Sequence, residues 1–126
     1  MRLNSYKELI VWQKSMNLVK LIYSVTSSFP KEEQYGHANQ IRRAAVSIPS
    51  NIAEGYGRKS QKEYIRFYTI AYGSALELET QVIISRELNF INITTFKKIG
   101  ALLTEVIKML YVLAYRHKER SILAAA

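Results

Sequence analysis

Residues 40–79 constrain this chain more than any other stretch. They read QIRRAAVSIPSNIAEG, then Tyr56 and a basic turn GRKS, then QKEYIRFYTIAYGSALELE. Apolar residues recur at steps of three and four on both sides of the turn, the spacing of one helix face. Small residues, a proline and polar side chains interrupt those faces. An ordinary helical hairpin needs none of them, so each marks a local demand on packing or hydrogen bonding.

Before the turn, Ala38, Ile41, Ala45, Ile48 and Ile52 form the face of one helix, with Pro49 inside it. An interior proline removes a backbone hydrogen bond and clashes with the preceding turn, costing about 3 kcal/mol. The helix is therefore expected to bend near residues 45–48 or to restart at Pro49, presenting Ser47, Ser50, Asn51 and Glu54 to a neighbouring helix. Gly55 and Gly57 are expected to close it in the left-handed conformation. Ser60-Gln61-Lys62-Glu63 reads as a capping box that starts the next helix. Beyond it Tyr64, Phe67, Ala71, Ala75, Leu78 and Val82 share a face. Its waist, Ala71-Tyr72-Gly73-Ser74-Ala75, lacks side-chain volume. Glycine inside a helix costs about 1 kcal/mol relative to alanine, so close approach of a second backbone is the expected compensation. Glu77 and Glu79 would lie opposite Arg42 and Arg43, where a charge-assisted bridge would favour one register. The expected polar network is therefore Ser47, Asn51, Glu54, Glu77 and Glu79.

Helical periodicity also appears in the two outer segments. Leu9, Trp12, Met16, Val19, Tyr23 and Thr26 form one stripe, with Val11, Leu18, Ile22 and Val25 as a second row beside it. Two rows are wider than one core face needs, so the second is expected to meet another helix, of this chain or of a neighbouring subunit. Phe29-Pro30 ends this helix and starts the next. After a loop over residues 89–95, capped by Thr94 or Thr95, the last helix buries Phe96, Ile99, Leu103, Val106, Leu110 and Leu113. Lys97, Ala101, Thr104, Lys108, Tyr111, Tyr115 and Lys118 occupy its opposite row. No run resembles a strand. The expected fold is all-α, an antiparallel up-down four-helix bundle over residues 1–118, with helices at 6–28, 31–55, 60–88 and 95–116 and a frayed tail at 119–126.

The chain's 126 residues suit one domain. It has no cysteine, which removes disulfides and cysteine-based zinc or redox sites and fits a reducing cytosol, the expected location. No stretch reaches the length of an apolar membrane span, and the N-terminus lacks a secretory pattern. Eighteen Lys and Arg face ten acidic residues, all glutamate, for a net charge of +8. Such a surplus favours a polyanion as partner. Arg42, Arg43, Arg58, Lys59, Lys62 and Arg66 form one basic block, and Lys108, Tyr111, Tyr115 and Lys118 interleave cations with rings that suit phosphates and unpaired bases. These ten are the candidate nucleic-acid-binding residues. The alternatives are an evenly solvated cationic surface, and a structural role for Arg42 and Arg43.

Catalysis is not expected. There is no Asp, Glu54, Glu77 and Glu79 have nearby arginines, and the Arg-then-His spacing of toxin-type helical ribonucleases is missing, since Arg116 directly precedes His117. No metal or cofactor is expected either. A protein-protein scaffold or accessory subunit that never touches nucleic acid is the alternative function.

QIRRAAVSIPSNIAEGYGRKS followed by EYIRFYTIAYGSALELETQ closely resembles the four-helix-bundle protein family. That family includes the proteins encoded in intervening sequences of bacterial large-subunit ribosomal RNA genes and, more distantly, the accessory variability determinant of diversity-generating retroelements. The likeness runs from Tyr6-Lys7-Glu8-Leu9 and Trp12, through Phe29-Pro30-Lys31-Glu32-Glu33 and Tyr35-Gly36, to Leu113. It implies a bundle that assembles into a ring-shaped homopentamer; in the retroelement relative that ring binds reverse transcriptase and nucleic acid. It carries over no catalytic residue. His37-Ala38-Asn39 and Tyr56 depart from the family's usual pattern.

Overall fold

The computed structural model describes residues 5–116. Four α-helices account for most of them: α1, Ile10–Thr26; α2, His37–Tyr56; α3, Gln61–Glu87; and α4, Ile93–Tyr111. Short 3-10 turns at Tyr6–Glu8 and Lys31–Glu33 precede α1 and α2, and a π-helical turn, Val112–Arg116, extends α4. No strand occurs among the described residues. Lys118 and the expected tail lie outside them.

Side-chain contacts fix the directions of the helices. Arg42, early in α2, reaches Thr26 at the end of α1. His37 at the start of α2 meets Ser85 near the end of α3, while Gly55 at the other end of α2 lies against Tyr64, Phe67 and Tyr68. Lys14, early in α1, pairs with Glu105, late in α4. Sequential neighbours therefore run antiparallel, and α4 closes back on α1. Leu18, Ile22, Ile41, Ile48, Ile52, Leu78, Ile99, Leu103 and Leu110 fill the centre, each at most 1% exposed. Burying one such side chain contributes about 1.5–3 kcal/mol.

The wide apolar arc of α1 resolves in favour of the other row. Val11, Ser15, Leu18, Ile22 and Thr26 are buried, whereas Leu9, Trp12, Met16 and Val19 are half-buried and Tyr23 is exposed. Ser15 and Thr26 are tolerated inside because their hydroxyls donate to the Trp12 and Ile22 carbonyls at 2.8 and 2.7 Å.

Pro30 does not begin α2. It precedes a 3-10 turn, and α2 starts at His37 after Gly36. Gln34 donates to the carbonyls of Thr26 and Phe29, satisfying the end of α1 from within the loop. Nor does the chain restart at Pro49, which is buried within an unbroken α2. Just beyond the missing proline N–H, Ser50 Oγ donates to Val46 O and Asn51 Nδ2 to Ser47 O, both at 2.8 Å. The carbonyl that Pro49 deprives of its backbone donor is that of Ala45; these two bonds fall on the next two carbonyls and tie the side chains to their own helix around the proline.

Neither Gly55 nor Gly57 is left-handed; Gly57 ends α2 with φ −78° and ψ −6°. Among the described residues that conformation belongs to Asn89, φ 63°. There Phe90 N bonds Ser85 O and Asn89 N bonds Arg86 O, a Schellman closure of α3. At the start of α3, Ser60 Oγ accepts from Glu63 N. Asn92, rather than Thr94 or Thr95, caps α4 by accepting from Thr95 N at 2.8 Å.

The expected waist is corrected at its glycine, though not at Ala71 and Ala75, which are wholly buried. A Cβ at Gly73 would meet nothing within 4 Å, so this glycine faces away from the rest of the protomer. The tight approach of α2 to α3 sits at Gly55, where a Cβ would lie 3.1 Å from Phe67 Cβ, 3.2 Å from Tyr68 Cε1 and 3.3 Å from Tyr64 O. Alanine gains about 1 kcal/mol of helix propensity over glycine, but overpacking costs about 1–3 kcal/mol. Gly55→Ala is therefore expected to destabilise the bundle by about 1 kcal/mol or more in urea unfolding, since two of the three obstructing atoms move only with α3 itself.

Candidate nucleic-acid interface

The α2–α3 connection is short because α2 runs to Tyr56 and Ser60 already caps α3. Arg58, Lys59, Lys62 and Arg66 all project from this corner and are exposed. Arg58 Nη2 lies 3.0 Å from Glu54 Oε2, an exposed pair four residues apart. Such a pair contributes about 0.3–0.5 kcal/mol and leaves both groups in water. The Arg58 guanidinium also sits over the Phe67 ring, its Cζ 4.6 Å from the centroid, and Arg66 Cζ is 5.7 Å from the same centroid. Ser50, Ala53, Glu54, Gly57 and Arg58 line an open groove of about 440 Å³ beside them. Among the described residues, Lys59, Lys62 and Arg66 form no ion pair.

Arg42 and Arg43 belong to a different part of the surface. At 1.5 Å per residue, Arg42 is about 24 Å up the helix from Arg58. Its Nε donates to Thr26 Oγ1 at 2.8 Å and its guanidinium lies 5.2 Å from the Tyr23 ring centroid, so the half-buried side chain ties α2 to α1. Arg43 is exposed and shares a groove of about 270 Å³ with Gln40, Ala44, Ser47 and Glu77. The expected bridges from Arg42 or Arg43 to Glu77 or Glu79 do not form; the ion pairs among the described residues are Arg58–Glu54 and Lys14–Glu105.

The hydrogen bonding between α2 and α3 centres on Ser47 and Ser74, whose hydroxyl oxygens are 2.8 Å apart. Asn51 Nδ2 adds a 3.0 Å bond to Ser47 Oγ. Glu54 instead faces Arg58, Glu77 accepts from Gln81 Nε2 on its own helix at 3.5 Å, and Glu79 joins none of these. In the sequence Ser74 counts only as a small residue, although Ser47 and Ser74, 27 residues apart and about equally far from Ser60 on antiparallel helices, are placed to meet. His37, bonded to Ser85 at 2.8 Å and packed against the Phe29–Phe90 pair, had no sequence signature.

On α4, Lys108 and Tyr111 are exposed and Tyr115 is half-buried. The two tyrosines pack with Tyr72 of α3, with centroids 5.2–5.9 Å apart, so part of their ring surface holds the two helices together. The antiparallel path brings this end of α4, with Arg116, back toward the Arg58 corner.

A model of the 23S rRNA-intervening sequence protein family matches residues 7–112. The chain belongs to that family. A crystal structure from Bacteroides thetaiotaomicron, a protein of unknown function from the S23 ribosomal protein family, is similar at 26% identity and TM-score 0.77, over 84% of this chain and 99% of that one. Comparison with curated proteins returns no match. As a member of the intervening-sequence family, the chain presents to solvent the basic corner that lies wholly inside the matched range. Among the described residues no three His or Glu side chains are placed to hold a metal ion. Among the described residues no helix is long and apolar enough to cross a membrane.

Beneath the corner, burial raises the Tyr68 phenol above its ordinary value of 10.0, with Tyr64 and Tyr56 adding to the shift. The folded chain therefore holds this proton more tightly than the unfolded chain does. Its contribution to stability is complete below pH 10 and is lost as pH rises through the raised value. Urea midpoints measured between about pH 9 and pH 11 should fall less steeply in Tyr68→Phe than in the wild type.

Proposed function

We propose that this chain is a non-catalytic, cytoplasmic, oligomeric bundle protein that binds RNA through the corner between α2 and α3. The observation that carries the reading is the exposed run Arg58, Lys59, Lys62 and Arg66, in which only Arg58 meets a carboxylate among the described residues. Cations left free on a short connection and the first turns of a helix displace condensed counterions from a phosphate backbone, and that release supplies affinity without base recognition. Membership of a family named for ribosomal RNA favours RNA among polyanions. Lys108, Tyr111 and Tyr115 are outer members of the contact set, whereas Arg42 is committed to α1 and Arg43 faces a separate groove.

The outer side of α3 supports self-association. Ile70, Leu76, Ile83 and Ile84 are all about 40% exposed, and Gly73 lies among them with open space before it. A helix apolar on its core face and again on its outer face is suited to a further helix, and the missing side chain at Gly73 suits close approach. We take the partner to be other copies of this chain, in the pentamer that the family resemblance implies. The same side of α3 favours the second reading, a scaffold for another protein; association that survives nuclease treatment in a pull-down would support it.

Filter binding of a structured RNA at two salt concentrations tests the main reading. Affinity should fall steeply with salt, and Lys59→Ala/Lys62→Ala should flatten the logarithmic salt dependence by about 1.5. Salt-insensitive or absent binding would overturn it. Light scattering should give several times the 14.5 kDa of one chain, and Ile84→Glu should return the mass toward a single chain.

A further inference from the structure

Phe67 has no hydrogen-bonding chemistry of its own, yet two of the four corner cations converge on it. Arg58 reaches it from the end of the α2–α3 turn and Arg66 from the preceding position on α3. Both arginines are exposed, and an exposed arginine ordinarily samples many rotamers. A ring beneath the guanidinium narrows that sampling while engaging only its face. The N–H donors lie in the guanidinium plane, not on its faces, and among the described residues the one hydrogen bond they give is from Arg58 to Glu54, so the others are open to a ligand. Lys59 and Lys62, on the same corner, have no such support among the described residues. The ring itself is set in place by the tight helix crossing, since Phe67 Cβ would be 3.1 Å from a Cβ at Gly55.

We infer that Phe67 is a positioning residue for phosphate recognition: it pre-orders Arg58 and Arg66 so that their in-plane donors meet the phosphodiester backbone of RNA. This inference rests on the RNA-binding reading above and assigns the corner an internal division of labour. Arg58 and Arg66 make oriented, charge-assisted contacts, and Lys59 and Lys62 add diffuse attraction. Ordering the arginines before binding removes part of the entropy that binding would otherwise cost.

The test is a double-mutant cycle on the full chain. Phe67→Leu keeps apolar bulk against Gly55 but removes the ring, and should weaken RNA binding about fivefold, on the scale of two exposed cation–π contacts. Phe67→Tyr, which restores a ring, should bind like the wild type. In an Arg58→Gln/Arg66→Gln background, Phe67→Leu should have no further effect on binding. A residue that merely stabilises the fold would shift the melting temperature in both backgrounds and leave this coupling at zero. Without any substitution, nitrogen-15 relaxation should find the Nε–H groups of Arg58 and Arg66 more ordered than that of Arg43, which no ring underlies among the described residues. Equal mobility of the three arginines overturns the inference, as does unchanged binding by Phe67→Leu or an equal loss in both backgrounds. A wild type without salt-sensitive RNA binding overturns the functional reading and this inference together; a wild type that binds, with Phe67→Leu unaffected, overturns the inference alone.

Discussion

The contact between α2 and α3 is the constraint on which the rest of the structure depends. Ala44, Ala45, Ala71 and Ala75 are nearly or wholly inaccessible, Gly55 leaves no room for a methyl group, and the Ser47 and Ser74 hydroxyls meet between the two helices. Small residues bring the backbones close, and close backbones gain dispersion contacts that larger side chains would prevent. The hydroxyl pair adds selectivity. Sliding one helix by a turn would leave both serines without each other and set Phe67 and Tyr64 against a position that, unlike Gly55, carries a side chain, so packing and hydrogen bonding agree on one register.

How much of this was legible follows from what periodicity encodes. The repeat of three and four located four helices, and in α4 it named the buried residues Ile99, Leu103, Val106 and Leu110, although Phe96 and Leu113, expected in the same row, are half-buried. It placed α3 to within a residue at each end, because Ser60 is a local cap whose partner is three residues away. In α1 the apolar arc is so wide that periodicity gives no unique centre. The decision fell to Ser15 and Thr26, polar residues that enter the core by bonding their own helix. Glycine was ambiguous for a related reason. A missing side chain can relieve backbone strain, admit a neighbouring helix or face solvent, and in this protomer Gly55 admits a helix while Gly73 faces outward.

At the candidate site, the chemistry of the residues could be read from the sequence but their grouping could not. Six cations between residues 40 and 66 look like one block in one dimension, yet a 20-residue helix carries Arg42 far from Arg58. The expected bridges to Glu77 and Glu79 assumed that opposite charges on facing helices pair. Instead Arg42 found a hydroxyl and a ring on α1, and Arg43 remained across a groove from Glu77. Exposed ion pairs contribute too little to override such packing preferences. Tyr111 and Tyr115 likewise alternate with lysines in sequence but in space meet Tyr72 first.

The two ends of the bundle are finished by different means, and the difference bears on function. At the end holding the α1–α2 and α3–α4 connections, Phe29, His37 and Phe90 pack together and Ile91 is buried. Gln34 and Asn92 satisfy backbone groups there, and Asn89 turns the chain out of α3. The exposed charges at that end, Lys31, Glu32, Lys97 and Lys98, are of both signs rather than a purely basic run. The opposite corner has only a few residues between helices, with Ser60 capping α3, and carries its charges on that short connection and the first turns of α3 rather than on a long loop. Their mutual repulsion is moderated by one exposed glutamate and by water. A cationic cluster that is neither buried nor neutralised persists at little cost in stability, because solvent screens it. That screening is weaker against a dense row of phosphates brought within contact distance than against scattered salt ions. The same corner can therefore be tolerated in the free protein and attractive to a polyanion.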